Sequence, residues 1–196
     1  MNEEQVTNTT PSKNSGLVFS EILKFTLIVA IIVIPFRLFV AQPYIVEGSS
    51  MDPTFKNGDY LIVDQLSMHF TEPERGNVII MRYPLDTSKF FIKRVIGLPG
   101  ETVVIKSGKV SIQKPDSTEL QELSEDYITY ESNDNLTVSL KENEYFVLGD
   151  NRAGSSDSRV WGPLPENDIV GKPILRLLPI KHVGLFPGKP ANQLTP

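Results

Sequence analysis

The sequence predicts a mainly β protein, in which an antiparallel β-sheet domain follows a single N-terminal transmembrane helix. A largely apolar segment covers residues 17–40, and about 20 apolar residues are enough to cross a bilayer. Beyond it, short apolar or alternating runs follow one another with little room for the crossover helices of a parallel sheet. At 196 residues, the chain accommodates one such domain but not two large ones.

Residues 1–16 are rich in Asn, Thr, Ser and Glu, a composition that predicts a disordered tail. The segment 17–40 is predicted to be a membrane anchor, because residues 27–34 are apolar all round and lack the polar face of a surface helix. A buried helix of a soluble core is one alternative. A cleaved signal peptide is another, but cleavage after Ala41 requires a small residue two places earlier, where Phe39 stands.

The charges around this segment fit an anchor but decide its orientation only weakly. Glu21, Lys24 and Arg37 are expected at the bilayer interfaces, where long side chains reach water. Lys13 and Lys24 precede the apolar core and favour a cytoplasmic N terminus, whereas Arg37 follows it closely.

Residues 41–196 are predicted to form the β-rich domain. Its strands are expected where apolar or alternating runs end at turn-forming residues such as Asn57-Gly58 and Pro99-Gly100, namely at 44–46, 60–63, 78–81, 90–96, 102–105, 110–112 and 145–148. Residues 114–140 hold many Ser, Glu, Asp and Asn residues and are expected to form a short exposed insertion between strands, without a core of their own.

Composition excludes several kinds of chemistry. The chain has no cysteine, so disulfides, a thiolate nucleophile and cysteine zinc sites are impossible. A net charge of -5 argues against a general nucleic-acid binder, which needs clustered Lys and Arg. Its two histidines, His69 and His182, are expected to be surface or half-buried structural residues. A serine enzyme built from this chain therefore needs a base other than histidine.

Ser50 is a candidate nucleophile. It lies in the run Gly48-Ser49-Ser50-Met51-Asp52-Pro53-Thr54, in which Gly48 permits an unusual turn or the close approach of a substrate backbone. A serine hydroxyl is a weak nucleophile until a base removes its proton. An ordinary surface turn of the same composition is the alternative.

Lys93 is the candidate base. In a strand of period two, Phe91, Lys93 and Val95 share one face, and a lysine desolvated among apolar neighbours has a lowered pKa and can accept a proton near neutral pH. A lysine that reaches water at a sheet edge is the alternative. Arg94, expected to be solvent-facing or in a salt bridge, stays protonated and cannot be the base.

A dense polar run from Gly149 to Arg159 follows the last predicted strand. Its hydroxyls, carboxylates and guanidinium groups can satisfy one another and support a site, although a plain surface loop can look similar.

Four segments together resemble bacterial type I signal peptidases. The run Ser50–Thr54 resembles the Ser-Met-x-Pro-Thr box of that family, and Arg75–Ile79 resembles its Arg-Gly-Asp-Val-Val box. The run Lys93–Glu101 resembles the box that begins with the general-base lysine, and Gly149–Arg159 resembles the last box. Each box alone is weak evidence, but four in the family's order and spacing are specific. The resemblance implies the β-sheet catalytic domain of that family, with a reduced cap at 114–140.

The resemblance also implies residue roles. Ser50 attacks the scissile carbonyl and Lys93 takes its proton, as in the Ser-Lys variants of the catalytic triad. Ser155 stands where the family has a serine that orients the lysine, and Asp157 and Arg159 match a structural ion pair behind the site. The backbone N–H of Ser50 is expected to stabilise the oxyanion.

Two departures from the family pattern affect the details. Gly48 stands where some members carry a serine that donates to the oxyanion, so that second donor is absent here or comes from elsewhere. Ala153-Gly154 replaces the commoner Asp-Asn before Ser155. Shallow pockets for small substrate side chains are expected next to the two catalytic positions, lined by Val46, Met51, Phe91 and Ile92.

Taken together, these features predict a membrane-anchored serine endopeptidase that cuts signal peptides from exported preproteins after small residues, at the outer side of the bacterial plasma membrane. Its partners are expected to be preproteins and the lipid bilayer, with no nucleic acid, metal or organic cofactor. Two alternatives stay open. One is a self-cleaving repressor-type Ser/Lys protease, although the N-terminal region is not of a DNA-binding type. The other is a non-catalytic anchored β domain that binds exported proteins.

Overall fold

The structure, a computed structural model, describes residues 15–35 and 41–188. The chain forms two compact units that divide after Leu38. The predicted tail of residues 1–16 lies outside the described residues except for its last two positions. Residues 36–40 of the predicted anchor and the C-terminal residues 189–196 lie outside them as well.

The described part of the first unit is one helix, α1 (Ser15–Pro35). Lys24 pairs with Glu21 one turn earlier at 3.2 Å. Apolar side chains are exposed on every side of the helix, namely Val18, Phe19, Ile22, Leu23, Phe25, Leu27, Ile28, Val29, Ile31 and Val33. The predicted N-terminal helix is therefore present. Within the described ranges, no helix combines the length and the apolar character needed to cross a membrane.

The second unit is built from antiparallel strands in two sheets, as predicted. The larger sheet has the order β1-β2-β11-β3-β4-β9-β10, with β12 beside β11, and the smaller has the order β7-β6-β5-β8. A single helical turn, α2 (Ser158–Trp161), precedes β10. The strands are β1 (Ala41–Ile45), β2 (Tyr60–Asp64), β3 (Val78–Tyr83), β4 (Asp86–Gly97), β5 (Thr102–Lys106), β6 (Lys109–Gln113), β7 (Leu120–Glu122), β8 (Leu136–Ser139), β9 (Glu144–Leu148), β10 (Leu164–Pro165), β11 (Ile169–Leu178) and β12 (Gly184–Leu185).

The segment 114–140 differs from the exposed insertion expected from its composition. It supplies β7 and β8, which pair with β6 and β5, and its Leu123 and Leu140 are buried in the same cluster as Val103 and Ile112. The strands escape a composition-based prediction because they are short, and four of their seven residues are exposed.

Strand β11 was not predicted either, although it lies in the middle of the larger sheet. Gly171 and Pro173 interrupt its apolar pattern, and its register shifts against both neighbouring strands. Such irregularities remove the period-two signal on which a strand prediction depends.

Strand β4 holds the candidate base in a rigid setting. It contributes a buried side chain to each of three hydrophobic clusters, Ile92 to one, Val95 to the second and Ile96 to the third. Close packing on this scale leaves the backbone around residue 93 little freedom to move.

Candidate active site

Ser50 lies in the turn between β1 and β2. Gly48 has φ +87, the left-handed region that glycine adopts without strain, and its N–H donates to Oδ1 of Asn57 at 3.0 Å. The next two turns close through Asp52 N–H to the Ser49 carbonyl at 3.1 Å and Phe55 N–H to the Met51 carbonyl at 2.9 Å. Met51 and Phe55 are buried, so the half-buried serine sits directly on the core.

Contacts with the polar loop 149–159 hold this turn from the other side. The N–H of Asn151 donates to the Ser50 carbonyl at 3.1 Å, and its side-chain Nδ2 donates to the Ser49 carbonyl at 3.2 Å. Oγ1 of Thr54 donates to Oδ2 of Asp150 at 2.5 Å. Two distant segments of the chain thus fix the position of the serine.

Lys93 reaches Ser50 from β4, where it lies opposite Ile79 of β3. Its side chain is only 3% exposed. Nζ donates to Oγ of Ser50 at 2.8 Å and to the Ile92 carbonyl at 3.0 Å, and it lies 5.3 Å from the centre of the Phe91 ring. The structure therefore brings the predicted nucleophile and the predicted base into direct contact.

The pKa of Lys93 is lowered from 10.5 to about 8, mainly because burial disfavours the ammonium form. Asp157 and then Asp150 act in the opposite direction by their negative charge, and the guanidinium of Arg159 lowers the pKa further. Desolvation outweighs the carboxylates, so the amine is neutral in a useful fraction of molecules near neutral pH.

Two buried ion pairs stand behind the dyad. Arg94 makes a fork with Asp150, from Nε to Oδ1 at 2.8 Å and from Nη2 to Oδ2 at 2.6 Å. Arg159 makes a second fork with Asp157, with both contacts at 2.8 Å. Asp157 also accepts from the N–H of Gly149 at 3.0 Å and caps α2. Bidentate pairs of this kind fix geometry as well as charge.

The hydrogen bond from Ser155 to Lys93 that the resemblance implies is not made here. The Oγ of Ser155 is buried and has no hydrogen-bond partner within the described part of the chain. It packs against Gly149, where an added Cβ would collide with Ser155 Oγ and with the Ser50 carbonyl oxygen. Only a glycine at residue 149 allows the loop and the serine turn to approach this closely.

A cleft of about 330 Å³ opens above the dyad. Of the predicted pocket residues, Val46, Phe91 and Ile92 line it, whereas Met51 does not and is buried in the same cluster as Val46. The side chain of Met51 leaves the turn on the core side, which sequence proximity to Ser50 does not reveal. The remaining wall includes residues that were not predicted to line it, namely Tyr44, Ile45, Glu47, Leu61, Ile80, Phe90, Gly154 and Ser156.

Among the described residues, neither a histidine nor a group of metal-binding side chains lies at this cleft. His69 and His182 are exposed and do not line the cleft. Within residues 15–35 and 41–188, no three His, Asp or Glu side chains are placed to hold a metal ion.

Several supporting residues were missed from the sequence. Thr54, Arg94 and Asp150 all lie in the segments that resemble family boxes, and a residue-by-residue reading of those boxes could have found them. Glu125 and Asp134, which pair with arginines of the loop 149–159, lie in the polar insertion and carry no sequence signal.

Comparisons with known proteins identify the family of the chain. The family model described as "Signal peptidase, peptidase S26" matches residues 19–178. Probable signal peptidase I-1 of Synechocystis sp. is 36% identical over 185 residues, which cover 89% of this chain and 91% of that protein. Signal peptidase I of Bacillus amyloliquefaciens is 37% identical over 185 residues, which cover 87% and 92%. A crystal structure of a signal peptidase I from Enterococcus faecalis V583 has 31% identity and a TM-score of 0.44, covering 52% of this chain and 97% of that chain. On the strength of the sequence matches, which span most of the β-rich unit and most of the helix before it, the chain belongs to the signal peptidase family, peptidase S26.

Proposed function

We propose that this chain is a serine endopeptidase that removes N-terminal signal peptides from exported preproteins by a Ser50/Lys93 dyad. The observation that carries the proposal is the 2.8 Å contact between Nζ of Lys93 and Oγ of Ser50 on the floor of an apolar cleft. A lysine whose pKa lies at about 8 is a competent general base, since the best catalytic pKa is close to the working pH.

In the first step, the neutral amine of Lys93 accepts the Ser50 hydroxyl proton while Oγ attacks the scissile carbonyl. The bond from the carbonyl carbon to nitrogen then breaks, and the ammonium returns the proton to the leaving amine. Water then attacks the acyl-enzyme in the same way. Lys93 accepts a proton from the water, the bond between the acyl carbon and Oγ breaks, and the proton returns to Ser50. This is the logic of a catalytic triad with lysine in the place of histidine.

The backbone N–H of Ser50 is the proposed oxyanion donor. None of the hydrogen bonds among the described residues uses this N–H, so it is available to a substrate oxygen. Gly48 contributes no hydroxyl, and the turn therefore supports an oxyanion hole built from backbone donors. Loss of one such donor typically costs about 2.7–4 kcal/mol of transition-state stabilisation.

The supporting residues act through position. Asp157 and Arg159 hold the loop 149–159 against the dyad through their fork and through the N–H of Gly149. Ser155 buries its hydroxyl against Gly149, and we propose that a small rotation brings it to the lysine when the substrate binds. Met51 is proposed to support the pocket wall from behind.

The cleft favours an extended peptide with small side chains. Residues 44–48 form one wall and residues 90–93 the other, which is the arrangement in which a peptide adds to exposed strand edges. Val46, Phe91 and Ile92 are apolar, and the cleft is small, so residues such as Ala next to the scissile bond are expected to fit best.

The membrane is the proposed site of action. Exposed apolar side chains surround α1 without a polar face, as in a helix that contacts lipid, and the predicted span of residues 17–40 extends beyond its described part. We propose a single-pass protein of the bacterial plasma membrane, with a cytoplasmic N terminus and an extracytoplasmic catalytic domain. A tether of this kind raises the effective concentration of membrane-bound preproteins.

Cleavage of a preprotein by the full chain in detergent tests the function. Ser50→Ala and Lys93→Ala are each expected to lower kcat/KM by roughly 100- to 10,000-fold. Ser88→Ala and Lys89→Ala, which change exposed residues of the same strand β4, are matched controls that should retain the parent rate. A dyad variant as fast as the parent contradicts the mechanism. A parent that binds preproteins without cutting them, or that cuts only itself, indicates one of the two alternatives.

A further inference from the structure

Residues 124–135, here called the strap, pair with the loop 149–159 through Tyr130, which bridges to Asn151 and accepts from the N–H of Ala153 at 3.3 Å, and they do not line the cleft. We infer that Glu125 of this strap is a positioning residue for the proposed reaction, and that it acts through Arg152 to hold the loop against Ser50. The inference rests on the proposed function, because it assigns Glu125 a role in that same dyad chemistry.

The pair of Glu125 and Arg152 is closed to solvent. The two side chains are 9% and 2% exposed. Arg152 donates from Nη1 to Oε2 of Glu125 at 2.9 Å and from Nη2 to Oε1 at 2.5 Å, and its Nε donates to the Gly149 carbonyl at 3.1 Å. All three kinds of guanidinium nitrogen are therefore used, and the fork fixes Arg152 with respect to both the strap and the loop.

Gly149 passes this constraint to the dyad. Its N–H donates to Asp157, and its backbone leaves no room for a side chain, since an added Cβ would collide with Ser155 and with the Ser50 carbonyl oxygen. Because Arg152 holds the carbonyl of the same residue, a displacement of Arg152 moves the surface on which the serine turn rests.

Glu125 also reaches strand β4 through Tyr127. The Tyr127 hydroxyl donates to Oε1 of Glu125 at 2.7 Å, and its ring lies 4.1 Å from the guanidinium carbon of Arg94, the residue next to Lys93. One carboxylate thus connects the loop that supports the serine turn with the strand that carries the lysine.

A second pair from the strap serves as an internal comparison. Asp134 pairs with Arg159 at 2.5 Å, but the carboxylate side chain is 44% exposed. Exposed pairs contribute little and are screened by salt, whereas loss of one partner from a buried pair leaves an uncompensated charge in the interior. The position of the loop is therefore expected to depend on Glu125 far more than on Asp134.

The substitution Glu125→Gln keeps the shape of the side chain and removes its charge. The loop should then relax as Arg152 seeks other partners, and a misplacement of about 1 Å at a reacting group can cost up to about 100-fold in rate. We expect kcat to fall about tenfold or more while KM changes less than about twofold. Water that enters behind the loop should also move the acid limb of the pH–rate profile to higher pH, since a rehydrated lysine holds its proton more tightly. The direct loss of a negative charge would move it to lower pH, so the sign separates positioning from electrostatics.

The experiment measures preprotein cleavage by the full chain in detergent between pH 6 and 10, together with thermal unfolding. Glu131→Gln removes an exposed carboxylate of the same strap and is the matched control, expected to behave as the parent. Tyr127→Phe removes only the hydroxyl that donates to Glu125, and it is the milder second variant should Glu125→Gln not fold. Tyr127→Phe is expected to lower kcat about two- to fivefold and to move the acid limb of the pH–rate profile to higher pH.

The inference is overturned if the folded variants keep the parent kcat and the parent midpoint of the acid limb of the pH–rate profile. A lower melting temperature alone would then mean that Glu125 is purely structural. A shift of the acid limb to lower pH would also overturn the inference. The proposed function would survive both results, because it depends on the parent and on the Ser50 and Lys93 variants.

Discussion

Replacement of Lys93 by methionine should make the protein more stable at neutral pH and remove part of its pH dependence. Met is unbranched and of similar length, so it fills the site without a charge. Burial lowers the pKa of Lys93 from 10.5 to about 8, which means that the folded chain binds this proton less tightly than the unfolded chain. The difference corresponds to a penalty of about 3 kcal/mol whenever both states are protonated.

The sign of the effect follows from proton linkage. Below pH 8 both states carry the proton and the penalty is complete. Between pH 8 and 10.5 the unfolded chain still binds the proton while the folded chain has released it, so stability rises with pH. Above 10.5 neither state is protonated and the penalty is gone. The advantage of Lys93→Met over the parent should therefore shrink by roughly 2–3 kcal/mol from pH 7 to pH 10.

Urea unfolding of the full chain in mild detergent measures this difference. Trp161 is the single tryptophan and lies in α2, so its fluorescence reports the β domain. Other titrating groups contribute equally to parent and variant and cancel in the comparison. Lys89→Met, which removes an exposed lysine of the same strand, carries no burial penalty and should show no such convergence. An advantage that stays constant from pH 7 to pH 10 would mean that Lys93 is not perturbed by burial, and the argument for a neutral base would fail.

Two further predictions concern the same site and its location. Asp157→Asn removes the carboxylate that raises the pKa of Lys93 most strongly, so the acid limb of the activity profile should move to lower pH. Arg159 then loses its buried partner and keeps the more exposed Asp134, which should cost about 3 kcal/mol of stability. A profile that moved to higher pH would contradict the assigned electrostatics. In intact spheroplasts, added protease should digest the β domain as readily as in lysed ones, and protection of the domain until lysis would refute the proposed orientation.

Most of the sheet could be predicted from the sequence because strands such as β3 and β9 alternate or are uniformly apolar between turn-forming residues. Strands β7, β8 and β11 could not, since their signal depends on neighbours distant in the chain. Gly171 and Pro173 look like strand breakers locally, yet pairing with β2 and β3 accommodates them through shifts of register. At these positions the tertiary contacts outweigh the low strand propensity of Gly and Pro.

The site residues likewise divide into those that a short segment predicts and those whose role depends on contacts distant in the chain. Ser50 and Lys93 were found because each stands out within its own short segment. Arg94 was expected to be solvent-facing or in a salt bridge, and it is paired with Asp150 but almost fully buried. Its partner lies 56 residues away in the sequence, and no local pattern predicts a pair between residues so far apart. Met51 shows the opposite error, since it follows Ser50 in sequence but points into the core.

The arrangement of charges around Lys93 explains why desolvation can dominate its pKa. The negative charges of Asp150 and Asp157 raise the pKa of Lys93. If their effect dominated, the lysine would stay protonated and could not act as a base at neutral pH. Each carboxylate is paired with its own guanidinium, Arg94 or Arg159, through a bidentate fork. A paired carboxylate exerts a weaker field than a free one, and the guanidinium of Arg159 itself lowers the pKa of Lys93, so the two pairs supply hydrogen bonds that fix the loop while part of their negative charge is offset. On the proposed mechanism, the arginines therefore matter because they let structural carboxylates stand next to a lysine that must lose its proton.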